Sequence, residues 1–235
     1  MPQYVDLHIL PHPEDIPSCQ RIAETLSIAG YSMIGMTVPT GLFRDKVKSL
    51  RQQFLDNGVE TALRVDLASR SREELLRALR RFRGAYDLIA VKCLSERVAH
   101  VACRDRRVDL VFFDFENPRT RFNHALANLL QGAIEVNLAS GIRNINSSIY
   151  AMITKGFSIA QEHNVKVVLS SGADRAEIIR SPIQIAALAS TLGLSQRMAL
   201  EGIGPTPMTI LARNVKKREP GYVEEGVRVV LSTTR

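Results

Sequence analysis

Leu88-Ile89-Ala90-Val91 and Leu110-Val111-Phe112-Phe113 are runs without a polar residue. Each is bounded by charge and too short to make a buried helix. Strands sheathed by helices on both faces read this way, because neither face alternates with water. Val167-Val168-Leu169 is a third run of the kind. Working outward from these, strand patterns fall at residues 4–10, 32–38, 60–67, 87–94, 109–115, 133–138 and 166–170. Between them lie helical patterns. One covers 19–29 after Pro17-Ser18 and stops at Gly30, and another covers 44–57 before Gly58. Ser71 stands where an N-cap belongs, with Glu73 and Glu74 in the first turn and Leu75, Leu76, Leu79 and Phe82 on one stripe. Ser147-Ser148 opens a helix through Gln161, and Pro182 and Gly193 bracket one over 184–192.

Seven strand–helix alternations predict a parallel sheet with crossover helices. The fold class expected is α/β, a TIM-like (β/α) barrel of seven or eight strands with an incomplete last unit; a doubly wound open sheet is the alternative. Residues 1–218 read as one barrel domain and 219–235 as a peripheral tail.

At 235 residues the chain is long enough to bury one extensive core, and 45% hydrophobic with 23% charged residues is ordinary for a globular protein. No apolar run reaches the roughly 20 residues that cross a bilayer, and Met1–Asp6 has no signal-peptide pattern. Cys19, Cys93 and Cys103 are an odd set without metal-like spacing, so they read as small buried hydrophobes in a reducing compartment, the cytoplasm. The net charge of +7 permits a polyanionic partner. With no Trp and 6% aromatics, stacking on single-stranded bases is not the expected mode of contact.

Two constellations could carry chemistry. Asp6, His8 and His12, joined by Asp66, could ligate a metal at a barrel mouth and make the chain a metal-dependent phosphoesterase. Asp114 and Glu116 are further carboxylates at a strand end, but the chain has five His, and His100, His124 and His163 fall on helices. Asp6 and His8 forming local hydrogen bonds is the plainer reading. Ser170-Ser171-Gly172-Ala173 could expose backbone N–H groups to the phosphate of a small substrate, or be a simple turn. There is no Walker loop, no Gly-x-Gly-x-x-Gly after a strand and no Gly-x-Ser-x-Gly elbow.

The basic residues are uneven. From Arg64 to Arg107 there are twelve Lys/Arg against six Asp/Glu. Arg77, Arg80 and Arg81 share a helix face, Arg104, Arg106 and Arg107 form a second cluster, and Arg213, Lys216, Lys217 and Arg218 a third. One such cluster is ordinarily a solvated face. Three together favour a large anionic partner, because guanidinium forks match phosphate oxygens.

Four stretches in order resemble one family. They are Tyr4-Val5-Asp6-Leu7-His8; Tyr86 to Lys92, continuing past Arg97 and Arg106 to Val108-Asp109-Leu110; Ser170-Ser171-Gly172-Ala173 with Arg180-Ser181-Pro182; and Leu192-Gly193-Leu194 with Ala199-Leu200, Pro207 and Arg213-Asn214. Each motif is loose, but their order and spacing from residue 4 to about 218 are similar to the ribonuclease P protein component three family of archaea and eukaryotes. The segment Lys92-Cys93-Leu94-Ser95-Glu96 departs from the family's His-Gly-Gly-type stretch, and the short tail resembles the archaeal members.

The resemblance implies a barrel related to the polymerase and histidinol phosphatase phosphoesterases, without their full metal site. It implies a subunit that is not catalytic alone: it binds and activates the ribonuclease P RNA, beside ribonuclease P protein component two, and meets precursor tRNA indirectly. It also implies no membrane partner and no cofactor on the chain itself, Mg²⁺ being used by the RNA. Beside the matched motifs, Lys92, Arg97, Arg106, Arg107, Lys155, Arg175, Arg180 and Arg213, with Lys216 and Lys217, are the expected phosphate contacts.

Overall fold

A computed structural model describes residues 3–114, 120–138, 146–219, 222–224 and 227–228. Seven parallel strands, β1 (Tyr4–Ile9), β2 (Tyr31–Thr37), β3 (Glu60–Leu67), β4 (Leu88–Lys92), β5 (Leu110–Phe112), β6 (Ala133–Asn137) and β7 (Val167–Ser170), pair in sequence order. Ile9 bridges to Ala173 just beyond β7, and Leu10 N–H donates to Ala173 O, so the sheet curls into a nearly closed barrel. The open doubly wound alternative is therefore set aside.

Outside run α1 (Ile16–Ala29), α2 (Arg44–Asp56), α3 (Arg72–Phe82), α4 (Glu96–Arg104), α5 (His124–Leu129) and α6 (Ser147–Glu162). Each returns the chain from the C-terminal mouth of the barrel toward its N-terminal end. Side-chain caps set several starts: Ser71 Oγ accepts from Glu74 N–H as its spacing predicts, and Ser95, Asn123 and Asn146 do the same for α4, α5 and α6. α1 begins at Ile16 rather than residue 19 because Asp15 caps it, and Pro17 fits in the first turn, where no intrahelical donor is needed. α6 ends before Asn164, which takes the left-handed conformation (φ 52°) that asparagine tolerates.

After β7 and a 3-10 turn (Ala176–Ile178) the chain makes three α-helices rather than the one expected: α7 (Pro182–Thr191), α8 (Gln196–Gly202) and α9 (Pro205–Lys216). Among the described residues no eighth strand joins the barrel. Val5, Leu7, Ala62, Leu88, Ala90, Leu110, Phe112, Ala133 and Val168 form the inner cluster. Ile210 and Leu211 pack against it, so α9 plugs the N-terminal end. The alternate strand residues, among them Ile34, Val65, Ile89, Val111 and Leu169, face the helices in the larger outer core. Tyr222–Glu224 and Val227–Arg228 form a separate antiparallel pair. No helix among the described residues is long and apolar enough to cross a membrane.

Candidate functional site

Barrel enzymes place their chemistry at the C-terminal ends of the strands. Here the barrel interior near that mouth holds a buried charged cluster centred on one arginine. Arg64, on β3, is fully buried and bonded to the Glu135 carboxylate of β6 through both Nη atoms, each at 2.6 Å. Its Nε lies 2.6 Å from Asp66 Oδ1, and its Nη1 also donates to Leu7 O at 2.7 Å. Phe112 stands 5.7 Å from the guanidinium carbon. Ser170 Oγ donates to Glu135 Oε1 at 2.7 Å. His8 completes the cluster, with Nε2 3.1 Å from Asp66 Oδ2 and Nδ1 2.9 Å from Asn137 Oδ1. A close backbone approach supports this centre: a Cβ on Gly35 would lie 2.1 Å from Leu7 O, the carbonyl that Arg64 uses.

Electrostatics keep Arg64 and Asp66 charged. Burial opposes charge on Arg64, but Asp66 and Glu135 override it and keep the guanidinium protonated. Burial likewise pushes the Asp66 carboxyl up, but Arg64 and His8 prevail and hold it well below the usual carboxylate range.

The metal expected on the phosphoesterase reading does not fit these residues. A cation there needs open carboxylate oxygens. Both Glu135 oxygens and Asp66 Oδ1 are taken by Arg64, and Asp66 Oδ2 faces His8. His12, expected beside them, is exposed in the loop before α1. Asp6 instead accepts from Ser171 N–H at 3.0 Å and His8 N–H at 3.0 Å. The Ser170–Ala173 turn is similarly engaged, since Ser171 N–H serves Asp6 and Ala173 N–H donates to Ser171 Oγ. Of the other carboxylates proposed, Asp114 pairs with Lys92 and Glu116 lies outside the described residues.

Asp6 makes a testable pH signature. Burial pushes its carboxyl up from 3.8 to about 6, against the bonds from Ser171 and His8. The folded state then holds this proton more tightly than the unfolded chain. The resulting stability is full below about pH 4 and is lost as pH rises toward about 6. Replacing Asp6 by Asn should remove that decline, so the wild type loses about 2–3 kcal/mol relative to Asp6→Asn across this window. Urea unfolding at several pH values reads the difference; a gap independent of pH would contradict it.

The ten basic residues do not share one face. Lys92, Arg97 and Arg175 lie toward the C-terminal mouth, where Lys92 pairs with Asp114 at 2.7 Å and Arg175 with Asp174 at 3.0 Å. Lys155 is exposed along α6, in a groove shared with Arg121 and Ser148. Arg180 sits lower on the wall, its carbonyl accepting from Tyr31 Oη at the start of β2. Arg106, Arg107, Arg213, Lys216 and Lys217 gather at the N-terminal end. There the second and third basic clusters of the sequence meet, with Lys217 Nζ donating to Arg106 O at 3.4 Å. Arg107 is held by both oxygens of Asp105.

The same end contains an ionic clamp that sequence reasoning missed. Asp109 is fully buried and accepts from Arg83 Nη1 at 2.6 Å, Arg213 Nη2 at 2.7 Å and Ile89 N–H at 2.9 Å. Asn214 accepts from Arg83 Nη2 and donates to Asp87 O, while Arg218 bonds Asp87 and the Tyr86 carbonyl. These bonds tie α9 to the strand entrances. Arg213 is thus a structural ion-pair partner as well as an expected phosphate contact.

A family model described as RNase P subunit p30 matches residues 3–219. The chain is similar to ribonuclease P protein component 3 of Methanosarcina barkeri, 25% identical over 237 residues that cover 97% of this chain and 96% of the relative. It is similar to the Methanosarcina acetivorans protein of the same name, 26% identical over 240 residues with the same coverage of each. A chain in a cryo-EM structure of archaeal ribonuclease P with mature tRNA superposes with a TM-score of 0.80 at 17% identity, covering 98% of this chain and 100% of that one. That likeness shows the shared fold.

Proposed function

The chain belongs to the RNase P subunit p30 family, and from that premise we propose that it braces and activates the ribonuclease P RNA while carrying none of the chemistry itself. The observation that carries this reading is Arg64. Its buried guanidinium lies in the barrel interior near the mouth where a barrel hydrolase would hold metal and substrate, and it occupies Glu135 and one Asp66 oxygen, carboxylates a catalytic ion would require. On this reading Mg²⁺ held by the RNA supplies the hydrolysis that frees the tRNA 5′ end. The chain meets precursor tRNA indirectly, beside ribonuclease P protein component two, in the cytoplasm. Residues 1–218 act as the binding unit; most of the 219–235 tail lies outside the described residues.

The RNA surface is proposed on the basic residues named above, and its densest part is the N-terminal end. Arg106 and Lys216 are exposed there and Lys217 is half-buried beside them. Arg97, Lys155, Arg175 and Arg180 are exposed elsewhere on the barrel. Lysine and arginine contacts to phosphate release condensed counterions, so binding should weaken steeply with salt. The triple substitution Arg106→Ala, Lys216→Ala, Lys217→Ala should leave the fold intact and weaken binding of the RNA. It should also reduce the slope of log K against log salt by about 0.7–0.9 per phosphate contact removed. An unchanged slope would remove this surface from the account.

A further inference from the structure

Away from the barrel mouth and the basic end, three ligand-bearing side chains converge between α5 and the C-terminal end of α6. His124 is the first residue of α5, Glu162 the last of α6, and His163 its C-cap. His124 Nδ1 lies 3.0 Å from His163 Nε2 and 3.8 Å from Glu162 Oε2, and the three ligand atoms fall within 4.8 Å of one another. Donors around a tetrahedral Zn²⁺, bound at about 2.0–2.2 Å, stand roughly 3.3–3.6 Å apart, so the two imidazoles and the carboxylate need only small movements to enclose one ion.

Their neighbours orient them as a metal site requires. His163 Nδ1 is 2.9 Å from Asn128 Oδ1, which makes Nδ1 the protonated nitrogen and leaves the Nε2 lone pair facing His124. Ser158 Oγ donates to Glu162 Oε1 at 2.9 Å, leaving Oε2 as the oxygen turned toward the imidazoles. The C-terminal end of α6 adds the partial negative charge of its dipole, which favours a cation. The N-terminus of α5 opposes it more weakly, because that helix has only six residues.

We propose that His124, Glu162 and His163 form a three-ligand surface site for a divalent transition-metal ion of the Zn²⁺ class. The ion clips α5 to the end of α6 and keeps a fourth position for water or an oxygen donor from a partner. Two imidazoles and one carboxylate select such an ion over Mg²⁺, which prefers oxygen ligands. The site is separate from the barrel mouth and makes no claim on RNA cleavage. In the absence of an ion the same atoms make a hydrogen bond between the two imidazoles, so the fold does not depend on occupancy.

The test is a Zn²⁺ titration of the tag-free full chain near pH 7.5, in competition with a chromophoric chelator, with Co²⁺ as a spectroscopic substitute. The expected result is one equivalent bound, with Co²⁺ absorption of the intensity given by four-coordinate sites. His124→Gln and His163→Gln should each lower affinity by about a hundredfold, and Asn128→Ala by about tenfold, through the lost orientation of His163. Because these side chains lie at the surface, circular dichroism should show the variants folded. Affinity should fall in acid, because protons compete with the ion for its ligands. The thiols do not compete, as burial pushes Cys19 up, Cys93 well up, and Cys103 to about 12. Absence of saturable one-to-one binding, or binding that survives both histidine substitutions, would overturn the proposal.

Discussion

Replacing Arg64 by methionine should cost about 3–5 kcal/mol of folding stability, the largest effect expected of any single change outside the hydrophobic core. The methionine fills much of the space, so the loss does not come from a cavity. It comes chiefly from Glu135, which stays fully buried and loses the charge that balances it, and in part from the partly exposed Asp66. The pH dependence identifies the cause. In the wild type, Asp66 has a depressed folded pKa, so its contribution is present above the ordinary 3.8 and lost as pH falls below it. Without Arg64 the burial that raises the Asp66 carboxyl is opposed by His8 alone, so the native state takes up protons more readily and acid stabilises. Arg64→Met should therefore gain stability from pH 7 toward about pH 5. Arg64→Met combined with Glu135→Leu should recover part of the loss at neutral pH, because one buried charge has gone. A single variant within about 1 kcal/mol of wild type at pH 7 would show that Arg64 is not the charge that holds this centre together.

Asp109→Ala should cost about 3 kcal/mol. The substitution orphans the Ile89 N–H inside the barrel wall and releases Arg213 of α9 and Arg83, which itself holds Asn214 of α9. Both arginines are partly exposed and regain water, so the cost falls below that of Arg64. Asp109→Asn keeps an acceptor for Ile89 N–H and should lose about half as much. This pair also separates the two roles of Arg213. If Arg213 acts through Asp109, then Arg213→Ala lowers the melting temperature and changes RNA affinity only as far as Asp109→Asn does. If it also contacts phosphate, Arg213→Ala weakens RNA binding beyond the Asp109 variant and lowers the salt slope.

What was legible in the sequence follows from what each signal measures. Apolar runs such as Leu88–Val91 report burial on both faces, and all seven strands stand where those patterns put them. Caps are local chemistry, so Ser71 is readable in isolation. Of the three helices after β7 the first is legible, but α8 and α9 are harder to read, because α8 has seven residues, α9 begins at a Gly-Pro break, and both gain their stability by packing on the barrel rather than from periodicity. The charged centre was missed because Arg64 and Glu135 are 71 residues apart and meet only after the sheet curls. By sequence Arg64 belongs to the basic surplus of its region, yet it is wholly buried and adds nothing to a phosphate-binding surface. A trace existed: Arg64 and Glu135 each interrupt an apolar strand pattern, and a charge in a strand covered on both sides needs a partner. Asp109 carried the same trace, at the entrance of the Leu110–Phe112 strand.

The central claim, a subunit that enables a catalytic RNA without chemistry of its own, is tested most directly by reconstitution. The full chain is combined with its matching ribonuclease P RNA and component two, and cleavage of a precursor tRNA at its 5′ end is followed at moderate Mg²⁺. The account predicts cleavage that depends on the RNA, is stimulated by this chain, and is absent with the chain alone. Metal-dependent hydrolysis by the isolated chain, together with no stimulation of the RNA, would contradict it.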